Sequence, residues 1–318
     1  MPLKDALASA LSRLTAESVP SPRMNAELLL MFTLGCDRAY LYAHPERELT
    51  AAEEARYEAA LAERSRGVPA QYITGHQEFW GMDLIVSPAV LIPRPETEHV
   101  VEVTLKLAAD LGAQALSAGA PERLKLVSPS QLIGTAEAAP SPSMHKSGLG
   151  QTLRIVDVGT GSGCIALALA KELPHAEIHA TDISASALEI ARANASRHQL
   201  AERVRFHQAD LLAGFAPESV DFVASNPPYV GTTEEDQVQL EVRKFEPRMA
   251  VFAGATGLEV IERLVPQARA VLRPGGWLVI EISATIADGV HHLLRDWRGL
   301  SIANDLQGIP RVASARKP

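Results

Sequence analysis

The chain has 318 residues, more than the roughly 100–200 of a usual single domain, so its length favours two domains. Hydrophobic residues make up 47% and charged residues 21%, which argues against a disordered, collagenous or disulfide-scaffold chain. A formal charge of −8 opposes non-specific binding to a nucleic-acid backbone, and two distant cysteines, Cys36 and Cys164, give neither a disulfide framework nor a cysteine zinc site.

The N-terminal stretch MPLKDALASALSRL is charged within its first five residues and lacks the unbroken apolar core of a signal peptide. No run approaches the roughly 18 apolar residues of a membrane span. A cytoplasmic protein without membrane contact is predicted. Residues 1–66 carry little strand signal, and Leu3, Ala6, Leu7, Ala10, Leu11 and Leu14 recur at helical spacing. Two more helices are predicted: NAELLLMFTLG, closed by Gly35, and TAAEEARYEAALAERSRG, opened by Thr50 as N-cap and stopped at Gly67. Such a bundle suits a scaffold or dimerisation module and, equally, a recognition arm for a macromolecular substrate.

Between Gln71 and Pro93 the pattern changes to short β-like runs, QYITG, EFWGMDLIV and AVLIP, broken by Gly75, Gly81 and Pro88. Residues 67–93 are therefore read as a β-hairpin linker. From Arg94, PRPETEHVVEVTLKLAADLG predicts a helix, with Pro95, Glu96 and Glu98 suited to its first turn. Of the 39 residues from 112 to 150, 22 are Ala, Ser, Gly or Pro, too little apolar area to offset ordering entropy. A mobile surface insertion without catalytic role is expected there, with a short strand at RLKLV.

From Leu153 onward strands and helices alternate. LRIVDV, EIHATD, RVRFHQ, DFVAS and WLVIEI read as strands; CIALALAKEL, ASALEIARANASRH and the region around LEVIERLVPQARAVL read as helices. The alternation predicts an α/β fold with a mainly parallel, doubly wound sheet over residues 94–318.

The segment Asp157-Val158-Gly159-Thr160-Gly161-Ser162-Gly163 joins the first of these strands to its helix. Glycines there permit a tight turn and close approach of a ligand to free N–H groups. Asp182 ends the next strand, 19 residues after Gly163, where a carboxylate can accept from both hydroxyls of a ribose. The spacing is GxGxG rather than GxGxxG, with Cys164 where a dinucleotide site has its third glycine. S-adenosylmethionine, which carries adenosine but no pyrophosphate, suits this pocket better than NAD.

The strand DFVAS runs directly into Asn226-Pro227-Pro228-Tyr229, at the carboxyl end where open α/β sheets bind ligands. The prolines stiffen the turn and remove N–H donors, leaving carbonyl acceptors. A planar –NH2 can donate one hydrogen to the Asn226 side-chain oxygen and the other to the Pro227 carbonyl, while Tyr229 packs on its face. Two acceptors pulling on these hydrogens favour a more tetrahedral nitrogen whose lone pair points at the donor methyl. The expected chemistry is in-line displacement at a sulfonium, driven by orientation and electrostatics rather than by a strong base. No metal is required.

With these residues in view, DVGTGSG, Asp182 and NPPY resemble class I S-adenosylmethionine-dependent methyltransferases that modify planar amino groups. PAQYITGHQEFWGMDLIVSPAVLIPRPETE, residues 69–98, is similar to the linker signature of bacterial protein-glutamine methyltransferases acting on peptide chain release factors. The resemblance implies a Rossmann-like sheet with a helical substrate-recognition domain at 1–66. It implies methylation of the glutamine amide nitrogen in the Gly-Gly-Gln motif of class 1 release factors; a monomer without direct nucleic-acid contact is expected. Gly159, Thr160, Gly161, Ser162, Gly163, Asp182, Leu211 and Asn226 would hold the methyl donor. Asn226, Pro227, Pro228 and Tyr229 would hold the glutamine, with Asn226, Pro227 and Tyr229 catalytic. Where the family often places an aromatic residue beside the adenine, this chain has Leu211, which can pack but offers no π-face. A sister group that methylates a large-subunit ribosomal protein shares NPPY, yet its linker usually departs from PRPETE. The other alternative is adenine amino-group methylation of nucleic acid, which the acidic charge opposes.

Overall fold

A computed structural model describes residues 1–117 and 152–318. The N-terminal helices are α1 (Leu3–Ala16), α2 (Pro22–Leu34), α3 (Arg38–Ala43), α4 (Ala51–Ser65) and α5 (Ala70–Thr74). Leu3, Ala6, Ala10 and Leu14 form one buried stripe of α1, which packs against Ala26, Leu29 and Leu30 of α2 and Tyr57 and Leu61 of α4. Gly35 closes α2 in the left-handed conformation, φ +64°. Thr50 and Glu53 form a reciprocal capping box: Thr50 Oγ1 accepts from the Glu53 N–H at 3.3 Å, and Glu53 Oε2 accepts from the Thr50 N–H at 2.9 Å.

The run QYITG departs from its expected β character, because it belongs to helix α5, which ends at Gly75 with φ +76°. Pro69 before it and a left-handed glycine after it are helix-boundary residues, and they override the β preference of Ile73 and Thr74. The hairpin is confined to β1 (His76–Phe79) and β2 (Met82–Ile85), joined through Trp80 and Gly81 at φ +54° and +66°. Two successive left-handed residues match the strand twist of a two-residue hairpin. Trp80 tolerates this backbone where its N–H donates to Glu98 Oε1 at 2.8 Å and its indole donates to Glu172 Oε1 at 2.9 Å. AVLIP forms no strand.

After a 3-10 turn at Pro95–Thr97, α6 runs from Glu98 to Ser117. Helix thus continues six residues into the segment predicted to be irregular from 112, consistent with the good helix formers Ala113, Gln114, Ala115 and Leu116. The remainder of the predicted insertion, including the RLKLV strand, lies outside the described residues.

The second region continues as β3 (Arg154–Val158), α7 (Cys164–Glu172), β4 (Glu177–Asp182), α8 (Ala185–Arg197), β5 (Val204–Gln208) and β6 (Val220–Ser225). Then follow β7 (Val230–Gly231), α9 (Leu240–Phe245), α10 (Arg248–Val251), β8 (Phe252–Gly254), α11 (Glu259–Val271), β9 (Leu272–Glu281) and α12 (Ala287–Leu293). The chain closes with β10 (Arg298–Asn304) and β11 (Pro310–Arg316), an antiparallel pair absent from the sequence reading. The main sheet has the order β10-β11-β9-β6-β3-β4-β5, with β9, β6, β3, β4 and β5 parallel and β11 antiparallel to β9.

One face of the sheet is covered by α6 and α7, the latter buried from Cys164 to Ala170, the other by α11 and α12, so both faces carry apolar cores. The hairpin joins the first core through Phe79, Met82 and Leu84. Strand order reverses at β3, which pairs with β4 on one side and β6 on the other, and this switch point opens a crevice beyond the strand ends. Arg64 links the helical region to the sheet region. Only 2% exposed, it donates to Asn25 Oδ1 at 2.8 Å, to the Val68 carbonyl at 3.1 Å and to Glu241 Oε1 of α9 at 2.5 Å. Among the described residues no helix is long and apolar enough to cross a membrane.

Candidate active site

Strand register puts four site positions, three of them polar and one a glycine, in one row. Thr181 pairs with Val158, Val158 with Ser225, and Ser225 with Ile280. The next residue along each parallel strand is Asp182, Gly159, Asn226 and Glu281. The parallel sheet therefore delivers the glycine loop, the acidic strand end and NPPY to one edge, side by side.

Two cavities meet along this row. The first, of about 490 Å³, is lined by Gly159, Thr160, Ser162, Asp182, Leu211, Asn226 and Pro228 among others. Gly159 and Gly161 have φ +70° and +55°, and nothing lies within 4 Å of a Cβ placed on either, so the backbone here is open to a ligand. Gly163 has a different duty: a Cβ there would meet Ala191 Cβ and Leu167 Cδ1 at 3.3 Å, which makes it the packing contact between α7 and α8. Asp182 accepts from Gly161 N–H through Oδ2 at 2.9 Å and from Ser184 N–H through Oδ1 at 2.9 Å. Beneath the loop, Asp157 accepts from the Thr160 hydroxyl at 2.6 Å and the Ala166 N–H at 3.1 Å, while burial pushes its carboxyl up to about 7. Asp157 Oδ1 and Ser162 Oγ are buried without a partner. An open glycine backbone, a two-oxygen acceptor and the unpartnered Ser162 hydroxyl at one cavity fit the adenosyl and amino-acid groups of S-adenosylmethionine.

The second cavity, of about 450 Å³, is lined by Asn226, Pro227, Tyr229, Arg94, Glu96 and Glu281 among others. Pro228 faces the first cavity, so NPPY is divided: Asn226 borders both spaces, Pro227 and Tyr229 one, Pro228 the other. The Tyr229 hydroxyl donates to Glu281 Oε1 at 3.0 Å, and burial raises its pKa well above the ordinary phenol value. Arg94 Nη2 pairs with Glu246 Oε1 at 2.5 Å, and Glu246 Oε2 also accepts from the Ile92 N–H at 3.1 Å, so the linker is clamped to the end of α9.

Several lining residues were not singled out in the sequence. Ile183, more than half exposed, follows Asp182 directly, and its position after the strand-ending acid was a usable signal. Met249 and Phe252 also line the first cavity, from α10 and β8, and no local motif marks them. Phe252 brings an aromatic ring to the cavity in which Leu211 stands. Thr97 and Glu281 lie within PRPETE and WLVIEI, which the sequence marks as a linker signature with a helix start and as a strand, with neither residue assigned to the site.

Comparison with known proteins places these features in a family. The profile described as PrmC N-terminal domain matches residues 5–75, and the methyltransferase small domain profile matches residues 143–244. The release factor glutamine methyltransferase of Koribacter versatilis is 50% identical over 100% of this chain and 99% of its own length. That of Chlorobaculum tepidum is 40% identical over 87% of this chain and 84% of its own. The solved hMettl16 catalytic domain, in complex with MAT2A 3′UTR hairpin 6, shares the fold: TM-score 0.51, 88% of this chain and 92% of that chain covered, 14% identity. The chain therefore belongs to the release factor glutamine methyltransferase family and is an S-adenosylmethionine-dependent protein-glutamine methyltransferase.

Proposed function

We propose that the chain methylates the side-chain amide nitrogen of the glutamine in the Gly-Gly-Gln motif of class 1 peptide chain release factors, in the cytoplasm. The observation that carries this reading is the position of Asn226, at the border of a cavity suited to the methyl donor and a second cavity suited to a planar amide.

S-adenosylmethionine supplies an electrophilic methyl group on a sulfonium. Asp182 holds the ribose hydroxyls, and the backbone of Gly159 to Gly163 frames the donor, with Gly163 acting through helix packing. Ile183, Leu211 and Phe252 provide apolar surface for the adenine. Asn226 Oδ1 and the Pro227 carbonyl accept the two amide hydrogens of the glutamine, and Tyr229 borders its plane. These acceptors weaken amide conjugation and aim the nitrogen lone pair across the border between the cavities. The nitrogen becomes acidic once methylated, so its surplus proton passes to water and no strong base is needed. The helices of residues 1–66 recognise the release factor, a role supported by the Arg64–Glu241 link to the element lining the acceptor cavity.

The net charge of −8 favours a protein glutamine over a base in nucleic acid. Incubation with methyl-labelled S-adenosylmethionine and one of three acceptors tests this choice: a release factor, its Gln→Ala variant in the Gly-Gly-Gln motif, or adenine-containing DNA. Label on the first alone is expected. Label on the DNA, or on the Gln→Ala protein, overturns it.

A further inference from the structure

Four polar side chains form a continuous chain at the border of the two cavities, with Tyr229 and Glu281 lining the acceptor side, Thr97 the donor side and Asn226 both. Asn226 Nδ2 donates to Thr97 Oγ1 at 2.9 Å, Thr97 Oγ1 donates to Glu281 Oε2 at 2.6 Å, and the Tyr229 hydroxyl donates to Glu281 Oε1 at 3.0 Å. Thr97 is 1% exposed and Glu281 2%. Nothing in the reaction calls for a carboxyl at 281, and burying one is unfavourable unless its oxygens are hydrogen-bonded.

The direction of each bond follows from the atoms. Burial raises the Glu281 pKa, while the Thr97 and Tyr229 hydroxyls donating to its two oxygens pull it back towards the ionised form, which only accepts; each hydroxyl has a single hydrogen. With both Glu281 oxygens taking hydroxyl hydrogens, Thr97 has only lone pairs left for Asn226. Of the two ends of the Asn226 carboxamide, only the –NH2 can meet a lone pair. Its oxygen is thereby turned away from Thr97. The reversed amide would set two acceptors against each other without a shared hydrogen, which is unfavourable when buried.

We infer that Glu281 and Thr97 are positioning residues, which hold the Asn226 carboxamide with its oxygen available to the acceptor nitrogen and fix the Tyr229 ring by its hydroxyl. This rests on the role proposed for Asn226. It also gives the linker segment a function beyond starting a helix. The 3-10 turn at Pro95–Thr97 places Thr97 at the adjoining ends of β6 and β9, where it bridges Asn226 and Glu281, while the next residue, Glu98, holds the hairpin through Trp80. Glutamine at 281 would break the pattern, because its –NH2 offers hydrogens where a hydroxyl must donate. One hydroxyl would have to reverse, and if that is Thr97, it pulls the Asn226 oxygen towards itself.

Four variants test the inference, with kcat, KM for the release factor and S-adenosylmethionine affinity measured for each. Thr97→Val keeps the shape and removes the hydroxyl; a fall in kcat of about tenfold or more is expected, with donor affinity within about twofold of wild type. Thr97→Ser restores the hydroxyl and should return kcat to within about threefold. Glu281→Gln should lower kcat by about tenfold or more. The double variant Thr97→Val/Asn226→Ala should be no slower than Asn226→Ala alone, since Thr97 acts through Asn226. Wild-type kcat in Thr97→Val beside an inactive Asn226→Ala overturns the inference and leaves Asn226 its role. A multiplied loss in the double variant overturns it too. Wild-type kcat in Asn226→Ala removes the role of Asn226 and this inference with it.

Discussion

The Asn194 carboxamide pairs with both backbone groups of Ile85, accepting from its N–H at 2.7 Å and donating to its carbonyl at 3.0 Å. The same Nδ2 donates to the Ser162 carbonyl at 2.9 Å, so one fully buried side chain of α8 fastens the hairpin linker to the glycine loop. Asn194→Ala strands these backbone groups away from water. A loss of about 3 kcal/mol in unfolding free energy is expected by urea titration. An unchanged midpoint would show that other contacts hold the linker in place.

Asp182 already fixes the loop through Gly161 and the start of α8 through Ser184. As the ribose acceptor it should contribute a charge-assisted pair of hydrogen bonds, and Asp182→Asn should weaken donor affinity by about 10–100-fold in calorimetric titration. Equal affinity in the variant would move the ribose elsewhere in the cavity.

Asn226 is expected to act on the transferring nitrogen more than on the donor. Asn226→Ala should lower kcat by about 100–1000-fold while donor affinity changes by less than about threefold. A large loss of donor affinity would reassign it to cofactor binding.

On the sheet, far from NPPY, His179 Nδ1 and His207 Nε2 lie 2.8 Å apart with rings stacked, and His179 Nε2 meets Glu177 Oε1 at 3.1 Å. Burial holds both imidazoles below the ordinary histidine range, against the pull of Glu177 on His179. Folding therefore favours the neutral rings. Their contribution to stability is complete above about pH 6.5, the unfolded value, and is lost as pH falls towards the depressed folded values. Asp157 slopes oppositely: its carboxyl, raised from 3.8 to about 7, contributes stability at low pH that is lost as pH rises through about 7. A variant isolates the histidines. Between pH 7.5 and 5.5 wild type should lose more stability than His207→Gln in denaturant titrations, and parallel curves would exclude the pair as the source.

Much of the fold was legible because its signals are local. The Leu3-Ala6-Ala10-Leu14 stripe, the Thr50 cap and the strand-glycine-helix passage at 154–172 each stand in a short window. QYITG misled because β-branched side chains weigh less than the proline and glycine at the ends of α5. β10 and β11 escaped because β10 is a largely exposed edge strand that, among the described residues, pairs only with β11, and only β11 gains a further partner, β9, about 30 residues earlier. The two halves of the site were readable as motifs after strands. Their adjacency comes from the strand order, and the Thr97 and Glu281 supports come from residues 129 and 55 positions away from Asn226 along the chain, for which no spacing rule exists.

The most direct test of glutamine methylation is peptide mapping by tandem mass spectrometry of a class 1 release factor after incubation with this protein and S-adenosylmethionine. A single methyl group on the side-chain nitrogen of the Gly-Gly-Gln glutamine is predicted, absent from the reaction with Asn226→Ala. A methyl group on any other residue, or an unmodified release factor beside protein shown to bind the donor, would contradict it.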